Sequence, residues 1–314
     1  REEPDEFSKR LTDTKKGIGF YNTSPAISPA GDKMAFISDR DIYLDVYVRD
    51  IRDKEEINKV VSSGTTFDFE ELNILNPTLT WSPDNNHIAL TLKQGGEDVV
   101  AVINVDTEED YTLPFHLHGI QSVSWSPDGK KIAFDGHDAK QSDIYVYDFD
   151  LKIISKVTND IFTDVGPSWG PNSDMIFFSS DRGEYLDSTM IDEDFNIYNH
   201  NYSQLDLYHI SLSSNQITRL TDWELSDEKS AVVSPDGNQI IFTSDKNGIT
   251  NLYKKSIVFT IGSSGSTISN LEAKPITNSL NQVEQLSLSQ DGMKLLFTTL
   301  YKKGYNIFLI DNPF

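Results

Sequence analysis

The sequence predicts a closed six-bladed β-propeller, an all-β ring of six sheets with four antiparallel strands in each. Three observations support this prediction: a turn motif of the Ser-Pro-x-Gly type recurs, an apolar strand follows each copy, and the two chain ends supply complementary parts of one sheet. The six copies begin at Ser28, Ser82, Ser126, Gly170, Ser234 and Ser289. Their shortest spacing is about 44 residues, which is typical of a four-stranded propeller blade, and longer spacings indicate insertions.

The turn motif has the chemistry that a tight reversal between two strands requires. Proline sets φ at the second position, Asp or Asn suits the third, and glycine supplies a positive φ at the fourth. Three copies depart from this pattern: Asn85 replaces glycine, Gly170 and Asn172-Ser173 replace Ser and Asp-Gly, and Gln290 replaces proline. We expect these departures to weaken single turns without changing the strand register.

Each blade is expected to contain four strands, labelled a to d from the ring axis outwards. Strand a precedes the turn and often ends in tryptophan, and strand b is the apolar run after the turn. Strand c alternates aromatic and aliphatic residues, as in Ile144–Tyr147, and strand d ends in an apolar-Thr pair, as in Lys156–Asn159. Trp81, Trp125 and Trp169 recur at one repeat position, which favours packing between blades over ligand binding.

The two ends of the chain are predicted to complete one blade together. The last unit has strands a, b and c and stops at Phe314, whereas Lys9–Asp13 has the sequence of a strand d without a blade. Pairing them removes an open sheet edge. The predicted single domain covers residues 1–314, with blades at about 20–62, 76–115, 120–158, 164–221, 228–277, and 283–311 plus 8–12.

The combined motifs resemble the WD-like repeat of TolB-type propellers, and residues 121–149 match that repeat nearly throughout. Residues 28–63 are also similar to the first blade of propellers in large secreted bacterial proteins, in which a zinc-peptidase-like domain precedes the propeller. The resemblance implies the fold. It implies little about activity, because such blades serve both partner-binding proteins and non-catalytic domains of peptidases.

Composition excludes several classes of function. The chain carries 49 acidic and 27 basic residues, a net charge of −22, so nucleic acids and anionic lipid surfaces are not expected as partners. No apolar run approaches the ~18 residues that a membrane span requires. Without cysteine, thiolate metal sites and cysteine nucleophiles are excluded. We expect a periplasmic or secreted bacterial domain, monomeric or part of a larger chain, whose secretion signal has been removed or lies upstream.

The candidate binding site lies on the face shared by the b–c and d–a connections. Blade 4 has a long b–c insertion from Arg182 to Ser203, and a long d–a connection from Ser62 to Leu75 precedes blade 2. Long loops on a rigid scaffold often carry binding functions. The predicted partner-binding residues are Phe67, Phe69, Tyr185, Asp187, Asp192, Glu193, Asp194, Phe195, Tyr198, Tyr202 and Trp223. The alternative is that these aromatic residues pack the loops onto the blades and the carboxylates are only solvated.

A Ser-Asp-Arg element follows strand b in several blades and is assigned a structural role. The aspartates are expected to accept backbone amide hydrogen bonds in the b–c turns, and the basic residues to pair neighbouring blades. The residues concerned are Asp39, Arg40, Asp181, Arg182, Asp245 and Lys246.

Neither a metal site nor a cofactor site is predicted. Asp187 and residues 192–194 could supply oxygen ligands to calcium, but their spacing does not match a calcium-binding loop. His116 and His118 have no evident third partner for zinc. Sequence motifs of serine hydrolases, zinc peptidases and phosphate-binding loops are missing, and the six histidines lie in unrelated blades.

The sequence therefore predicts a non-catalytic scaffold of the bacterial envelope that binds a protein or peptide on the b–c/d–a face. Two alternatives stay open. One is a propeller of a larger peptidase-like secreted protein that gates or presents substrate, and the other is a carbohydrate-binding or carbohydrate-processing propeller.

Overall fold

In a computed structural model the chain folds into six antiparallel sheets arranged as a closed ring. The structure describes residues 1–13, 19–53, 57–62, 71–72, 79–115, 117–137, 141–187, 190–191, 195–262 and 265–314. The first strand of each blade contacts the first strand of the next blade all the way around, so the ring has no gap. The six-bladed, all-β prediction is confirmed.

The N-terminal half of the chain supplies a short helix, the closing strand and three blades. Helix α1 (Pro4–Phe7) and strand β1 (Lys9–Arg10) come first. Blade 1 contains β2 (Asn22–Ile27), β3 (Lys33–Asp41), β4 (Tyr43–Asp50) and β5 (Ile57–Val61). Blade 2 contains β6 (Glu71–Leu72) and β7 (Leu79–Trp81), which both pair with β8 (His87–Gln94), then β9 (Glu97–Asn104) and β10 (Asp110–Thr112). Blade 3 contains β11 (Gly119–Trp125), β12 (Lys131–His137), β13 (Ser142–Asp148) and β14 (Ile153–Lys156).

The C-terminal half supplies the other three blades. Blade 4 contains β15 (Asp164–Trp169), β16 (Met175–Ser180), β17 (Asp206–Ser211) and β18 (Ile217–Arg219), with a 3₁₀ turn at Ile197–Asn199. Blade 5 contains β19 (Glu228–Val233), β20 (Gln239–Ser244) and β21 (Asn251–Gly262), which pairs with both β22 (Gly265–Asn270) and β23 (Lys274–Pro275). Blade 6 contains β24 (Val283–Leu288), β25 (Lys294–Tyr301) and β26 (Gly304–Asp311).

Strand β1 closes the ring as the outer strand of blade 6. Arg10 pairs with Phe308 in antiparallel register, and the Leu11 amide donates to the Ile307 carbonyl at 2.8 Å. The Thr12 hydroxyl then accepts a hydrogen bond from the Ile307 amide at 2.9 Å. The prediction that the N-terminal strand completes the last blade is confirmed.

The apolar-Thr pair that ends strand d has the same role in four blades. Its threonine hydroxyl accepts a hydrogen bond from a backbone amide near the start of strand c. The donor and acceptor pairs are Ile144 and Thr158 (2.9 Å), Leu207 and Thr221 (2.8 Å), Leu252 and Thr277 (2.9 Å), and Ile307 and Thr12 (2.9 Å). These threonines are buried, so each bond satisfies a backbone donor that water does not reach.

The hydrophobic core is divided among the six blade interfaces, and one cluster of buried side chains lies between each pair of neighbouring blades. Trp81 and Trp169 lie at such interfaces, and their indole N–H groups donate to Ala26 and Ser124 carbonyls of the preceding blade at 2.8 and 3.0 Å. Trp125 differs, because its indole donates at 3.2 Å to Gly129 in its own turn.

The three turns that depart from the repeat motif each make a hydrogen bond to a neighbouring blade. The Asn85 side chain accepts from the Ala30 amide at 3.1 Å, and the Ser173 hydroxyl accepts from the Asp128 amide at 3.1 Å. Gln290 has the N–H that proline lacks, and it donates to the Pro29 carbonyl at 3.3 Å. These substitutions therefore link the turns of adjacent blades. The sequence analysis expected only that they weaken single turns and did not predict these links.

Candidate functional site

We call the surface formed by the b–c and d–a connections the loop face. Among the described residues it comprises the connections between strands b and c, at 42, 95–96, 141, 181–187, 190–191, 195–205, 245–250 and 302–303, and those between strands d and a, at 11–13, 19–21, 62, 113–115, 117–118, 157–163, 220–227 and 276–282. The start of the chain also reaches it, because the Glu2 amide donates to the Asn278 carbonyl at 2.7 Å.

The Ser-Asp-Arg aspartates join the two kinds of connection on this face. Each accepts a hydrogen bond from an amide just before strand a of its own blade: Asp39 from Tyr21 (2.9 Å), Asp181 from Thr163 (2.9 Å) and Asp245 from Asp227 (2.8 Å). The preceding serine caps the turn, as when the Ser180 hydroxyl accepts from the Arg182 amide at 3.2 Å. The aspartates thus accept hydrogen bonds from backbone amides, as predicted. The amides belong to the d–a connection, however, and not to the b–c turn as the sequence suggested.

The basic residues of these elements have three different environments. Arg182 is fully buried and forms ion pairs with Asp164 at 2.6 Å and with Asp160, on the connection from blade 3, at 3.0 Å. Arg40 lies 5.4 Å from the ring centre of Tyr47 in its own blade. Lys246 places its amine 3.6 Å from the ring centre of Trp223, on the connection from blade 4. Of these three basic residues, Arg182 is the one that forms a buried ion pair.

The blade-4 insertion carries a compact aromatic cluster. Tyr185 stacks on buried Phe162 with ring centres 5.5 Å apart, and Phe195 meets Tyr185 edge-on at 5.0 Å. His200 lies 5.1 Å from Phe162, and its Nε2 lies 2.7 Å from the Asp181 carbonyl. Tyr185 and Phe195 thus pack the insertion onto the blade. Phe162 and His200 complete this cluster, and the sequence reasoning missed both: Phe162 lies outside the insertion, and His200, between Tyr198 and Tyr202, is not one of the Phe, Tyr or Trp residues that the prediction used.

Other predicted site residues have varied positions. Tyr198 is 91% exposed and Tyr202 53% exposed, and Asp187 is also exposed. Trp223 is half-buried, with its ring edge-on to Tyr253 at 5.1 Å. Phe67, Phe69, Asp192, Glu193 and Asp194 lie outside the residues that the structure describes, as does His116.

Exposed hydrophobic side chains are concentrated on the loop face. Of the sixteen large hydrophobic residues that are exposed in the described part of the chain, ten lie on this face or at the strand ends that border it. They are Phe20, Ile42, Tyr43, Ile161, Met190, Tyr198, Tyr202, Leu225, Leu280 and Leu300. Where exposed apolar side chains form a contiguous patch, the surface is often an interaction site.

Two of these residues are held in an unfavourable backbone conformation. Ile42 has φ of 86° and is 87% exposed, and Leu225 has φ of 61° and is 94% exposed. A positive φ is rare for large side chains and is a true outlier for β-branched isoleucine. Strain of this kind occurs most often at functional sites. The sequence reasoning missed both residues because neither lies in a long loop or a repeated motif.

A second aromatic group lies where blade 6 meets blade 1. Tyr21 stacks on Tyr305 with ring centres 5.8 Å apart, and Phe20 meets Tyr21 edge-on at 4.8 Å. The Tyr305 amide donates to the Phe20 carbonyl at 2.8 Å, which holds the two blades together at this point. The loop face therefore has aromatic groups on two different sides of the ring.

One group of carboxylates meets the spatial requirement for a metal site. Oxygens of Asp143, Asp160 and Asp164 lie within 4.8 Å of one another. Two protein cations offset most of their negative charge, since Lys156 lies 2.7 Å from Asp143 and Arg182 contacts the other two. We assign these three carboxylates a structural role in the contact between blades 3 and 4.

The side chains of His87, His200 and His209 lie in three separate environments. His87 Nδ1 lies 2.8 Å from Asp84 in the blade-2 turn, whereas His200 bonds the Asp181 carbonyl. His209 is buried beside Phe177 in blade 4, and burial lowers its pKa to about 4. His209 is therefore neutral at neutral pH.

Comparison with known proteins agrees with this architecture. Residues 65–185 match the family model for the TolB beta propeller domain. TolB from Acinetobacter baumannii superposes with a TM-score of 0.60 and 19% identity, over 91% of this chain and 62% of that chain. The chain therefore has a β-propeller fold similar to that of TolB. It spans less than two thirds of the length of the A. baumannii protein.

Propellers of enzymes are also similar in fold to this chain. A prolyl endopeptidase aligns with a TM-score of 0.55 and 12% identity, over 98% of this chain and 42% of that chain. Oligogalacturonate lyase from Vibrio parahaemolyticus aligns with a TM-score of 0.56 and 11% identity, over 96% of this chain and 92% of that chain. At these identities the similarity shows the fold alone. A search of curated proteins found no match. Within the described residues, no helix has the length and hydropathy that a membrane crossing requires.

Proposed function

We propose that this TolB-like propeller is a non-catalytic scaffold that binds a protein or peptide partner on its loop face. The observation that carries the proposal is the concentration of exposed hydrophobic side chains there, ten of sixteen among the described residues. Tyrosines contribute strongly to many protein interfaces because they bury a large area at little cost in conformational entropy. Tyr43, Tyr198 and Tyr202 supply such side chains on this face.

The aromatic residues at the blade-4 insertion have two different roles under this proposal. Buried Phe162 and the half-buried Tyr185 and Phe195 hold the blade-4 insertion in place. Tyr198 and Tyr202 then project from a fixed base and contact the partner. Affinity benefits because less conformational freedom is lost when a loop is already ordered before binding.

The proposed location is the periplasm or the secreted space of a bacterium. The resemblance of the repeats to TolB-type propellers supports this location. The net charge of −22 adds a preference for partners with a basic surface over nucleic acids and anionic membranes.

The proposal is tested with matched variants on two surfaces. The tagged protein is used to capture partners from a bacterial envelope extract, and captured proteins are identified by mass spectrometry. The Tyr198→Ala/Tyr202→Ala double variant should lose the captured partner. The Leu151→Ala/Ile153→Ala double variant is the control, because these exposed residues lie on and beside the c–d connection of blade 3, away from the loop face.

Both double variants should melt close to the wild type, since exposed side chains contribute little to stability. Once the partner is purified, calorimetry should give a dissociation constant at least about tenfold weaker for the loop-face variant. Equal capture by all three proteins, or loss of capture by the control variant alone, would reject the loop face as the binding surface.

A further inference from the structure

A pair of buried carboxyl groups lies at the base of the blade-4 insertion. Asp206 is the first residue of β17, directly after the insertion, and Glu228 is the first residue of β19 in blade 5. Glu228 is fully buried and Asp206 is 2% exposed. The Glu228 amide donates to the carbonyl of Leu205, the residue before Asp206, at 2.7 Å, and a hydrogen bond with Glu228 is one of the contacts that oppose the rise in the pKa of Asp206 caused by burial. Two buried acids in contact repel one another if both are ionised.

The hydrogen bonds around the pair leave one oxygen of each carboxyl group without a partner. Glu228 Oε1 accepts from the hydroxyls of Ser226 at 2.7 Å and Ser244 at 2.9 Å. Asp206 Oδ2 accepts from Arg219 at 2.7 Å. The other two oxygens, Glu228 Oε2 and Asp206 Oδ1, have no donor among the described residues. A buried polar atom without a partner is costly, and a single proton placed between two carboxyl groups would satisfy both oxygens.

We propose that Asp206 and Glu228 share one proton, donated by Glu228, and that this proton stabilises the base of the blade-4 insertion. Bulk water supplies the proton, and no other group changes its charge. With the proton bound, the pair carries one negative charge, and Asp206 pairs with Arg219. Without it, the pair carries two buried negative charges, and Arg219 is also shared with Glu184.

Two cations, Arg219 and Lys255, and a third carboxylate, that of Glu184, surround the pair. Glu184 lies on the exposed side of Arg219 and also pairs with it. Lys255 of blade 5 is buried, its amine donates to the Leu220 carbonyl at 2.6 Å, and the charge of Glu228 favours its protonated form. Tyr208 and Tyr253 face the pair from blades 4 and 5, and burial raises the pKa of each phenol, so both stay neutral.

Burial raises the pKa of Glu228 to about 7, and the hydroxyls of Ser226 and Ser244 oppose this shift. Burial also raises the pKa of Asp206, whereas Arg219, Gln204 and Glu228 stabilise its charged form. Relative to the ordinary glutamate value of 4.5, the folded protein holds the Glu228 proton about 300-fold more tightly. Because the folded pKa is raised, the stabilisation is complete below pH 4.5 and is lost as the pH rises through 7.

Backbone contacts connect this proton to the insertion. The Glu228 amide donates to the Leu205 carbonyl at 2.7 Å, and the Leu205 amide donates to Asp227 at 3.0 Å. The Gln204 side chain donates to the Trp223 carbonyl at 2.9 Å. Loss of the shared proton therefore acts on the segment that holds the end of the insertion. An effect on partner binding rests on the proposed function of the loop face, but the shared proton can be tested without a partner.

Hydrogen exchange of the full chain at pH 6 and pH 8, corrected for the intrinsic pH dependence, tests the proposal. In the wild type, protection of the Leu205 and Glu228 amides should fall at least about threefold at pH 8. Glu228→Gln, which is neutral and can donate to Asp206, should keep the same protection at both pH values. Glu224→Gln is the control, since it removes an exposed carboxylate on the same connection and should behave like the wild type.

Equal protection of the wild type at the two pH values would overturn the proposal, as would a pH effect that persists in Glu228→Gln. If Glu228→Gln does not fold, carbon-13 NMR of the Glu228 carboxyl in the wild type decides instead. A titration midpoint above pH 6 supports the shared proton, and a midpoint below 5 overturns it. Neither readout uses the partner, so failure here is distinct from a failure of partner capture by the loop-face variant.

Discussion

The hydroxyl of Ser173 accepts a hydrogen bond from the backbone amide of Asp128, 45 residues earlier in the chain and one blade away, at 3.1 Å. Ser173 occupies the turn position where the repeat has glycine, and it adopts a glycine-like φ of 60°. Ser173 therefore has a strained backbone in its own turn, but its side chain gains a hydrogen bond to the turn of the preceding blade. The same exchange occurs at Asn85, which has φ of 61° and bonds Ala30.

Replacement of Ser173 by alanine is expected to lower the free energy of unfolding by about 1 kcal/mol, because the hydrogen bond is lost and the strain remains. Ser173→Gly should lose less, since glycine adopts the positive φ without strain. Urea unfolding of the three proteins, followed by circular dichroism, measures the difference. If Ser173→Ala is as stable as the wild type, the contact between the turns contributes nothing to stability.

The fold could be predicted from the sequence because its signals are local and repeated. The turn before β12, formed by residues 126–129, and the threonine that bonds the start of strand c recur with the same chemistry in several blades. The closing strand was predictable because Leu11-Thr12 repeats the end of strand d seen at Val157-Thr158. Repetition makes weak local preferences add up to one register.

The candidate site was only partly predictable, for a physical reason. Composition indicated the blade-4 insertion, but which tyrosines project depends on packing against Phe162, which lies about 20 residues upstream of Tyr185 in another connection. Ile42 and Leu225 gave no signal because a positive φ at a large apolar residue is opposed by local preference. Likewise, the contact of Asp206 with Glu228 depends on two blades meeting, and no spacing in the sequence records it.

Replacement of Ile42 tests whether its strained conformation serves partner binding. Ile42→Gly should raise the free energy of unfolding by about 1 kcal/mol, because glycine relieves the strain of a φ of 86° and little packing is lost from an exposed side chain. The same change should weaken partner capture, because the apolar side chain on the loop face is removed. Thermal melting and the envelope capture assay measure the two effects.

Lys152→Gly is the control for Ile42→Gly. Lys152 is exposed, has φ of 57° and lies on the c–d connection of blade 3. Its replacement should also stabilise the protein but leave capture unchanged. A destabilised Ile42→Gly protein would show that the turn is not strained. Full capture by a stabilised one would show that Ile42 takes no part in binding.

Arg182 and Arg40 occupy equivalent places in two Ser-Asp-Arg elements but should differ in their effect on stability. Arg182→Gln leaves Asp160 and Asp164 without their buried cation, and we expect a loss of about 3–5 kcal/mol. Arg40→Gln removes a partly exposed cation beside Tyr47 and should cost about 1 kcal/mol or less. Urea unfolding at pH 7 of both variants gives the comparison. Similar losses in the two variants would contradict the assignment of Arg182 as the buried ion pair.

Ring closure by the N-terminal segment gives the last prediction. Removal of residues 1–12 deletes β1 and the threonine that accepts from the Ile307 amide, and it uncovers the edge of β26. It also removes buried Leu11, whose carbonyl accepts from Arg49 of blade 1 at 2.8 Å. We expect a loss of several kcal/mol, a melting temperature lower by about 10 °C or more, and self-association through the open edge.

Addition of a synthetic peptide of residues 1–13 to the truncated protein should restore the melting temperature and the monomeric elution volume, because the peptide can pair with β26 as β1 does in the intact chain. A scrambled peptide of the same composition serves as the control, since it has the same charge but places no threonine at the position that accepts from Ile307. Calorimetry and size-exclusion chromatography report the two properties. A truncated protein that is monomeric and melts like the intact chain would show that the ring is held closed by the blade interfaces alone.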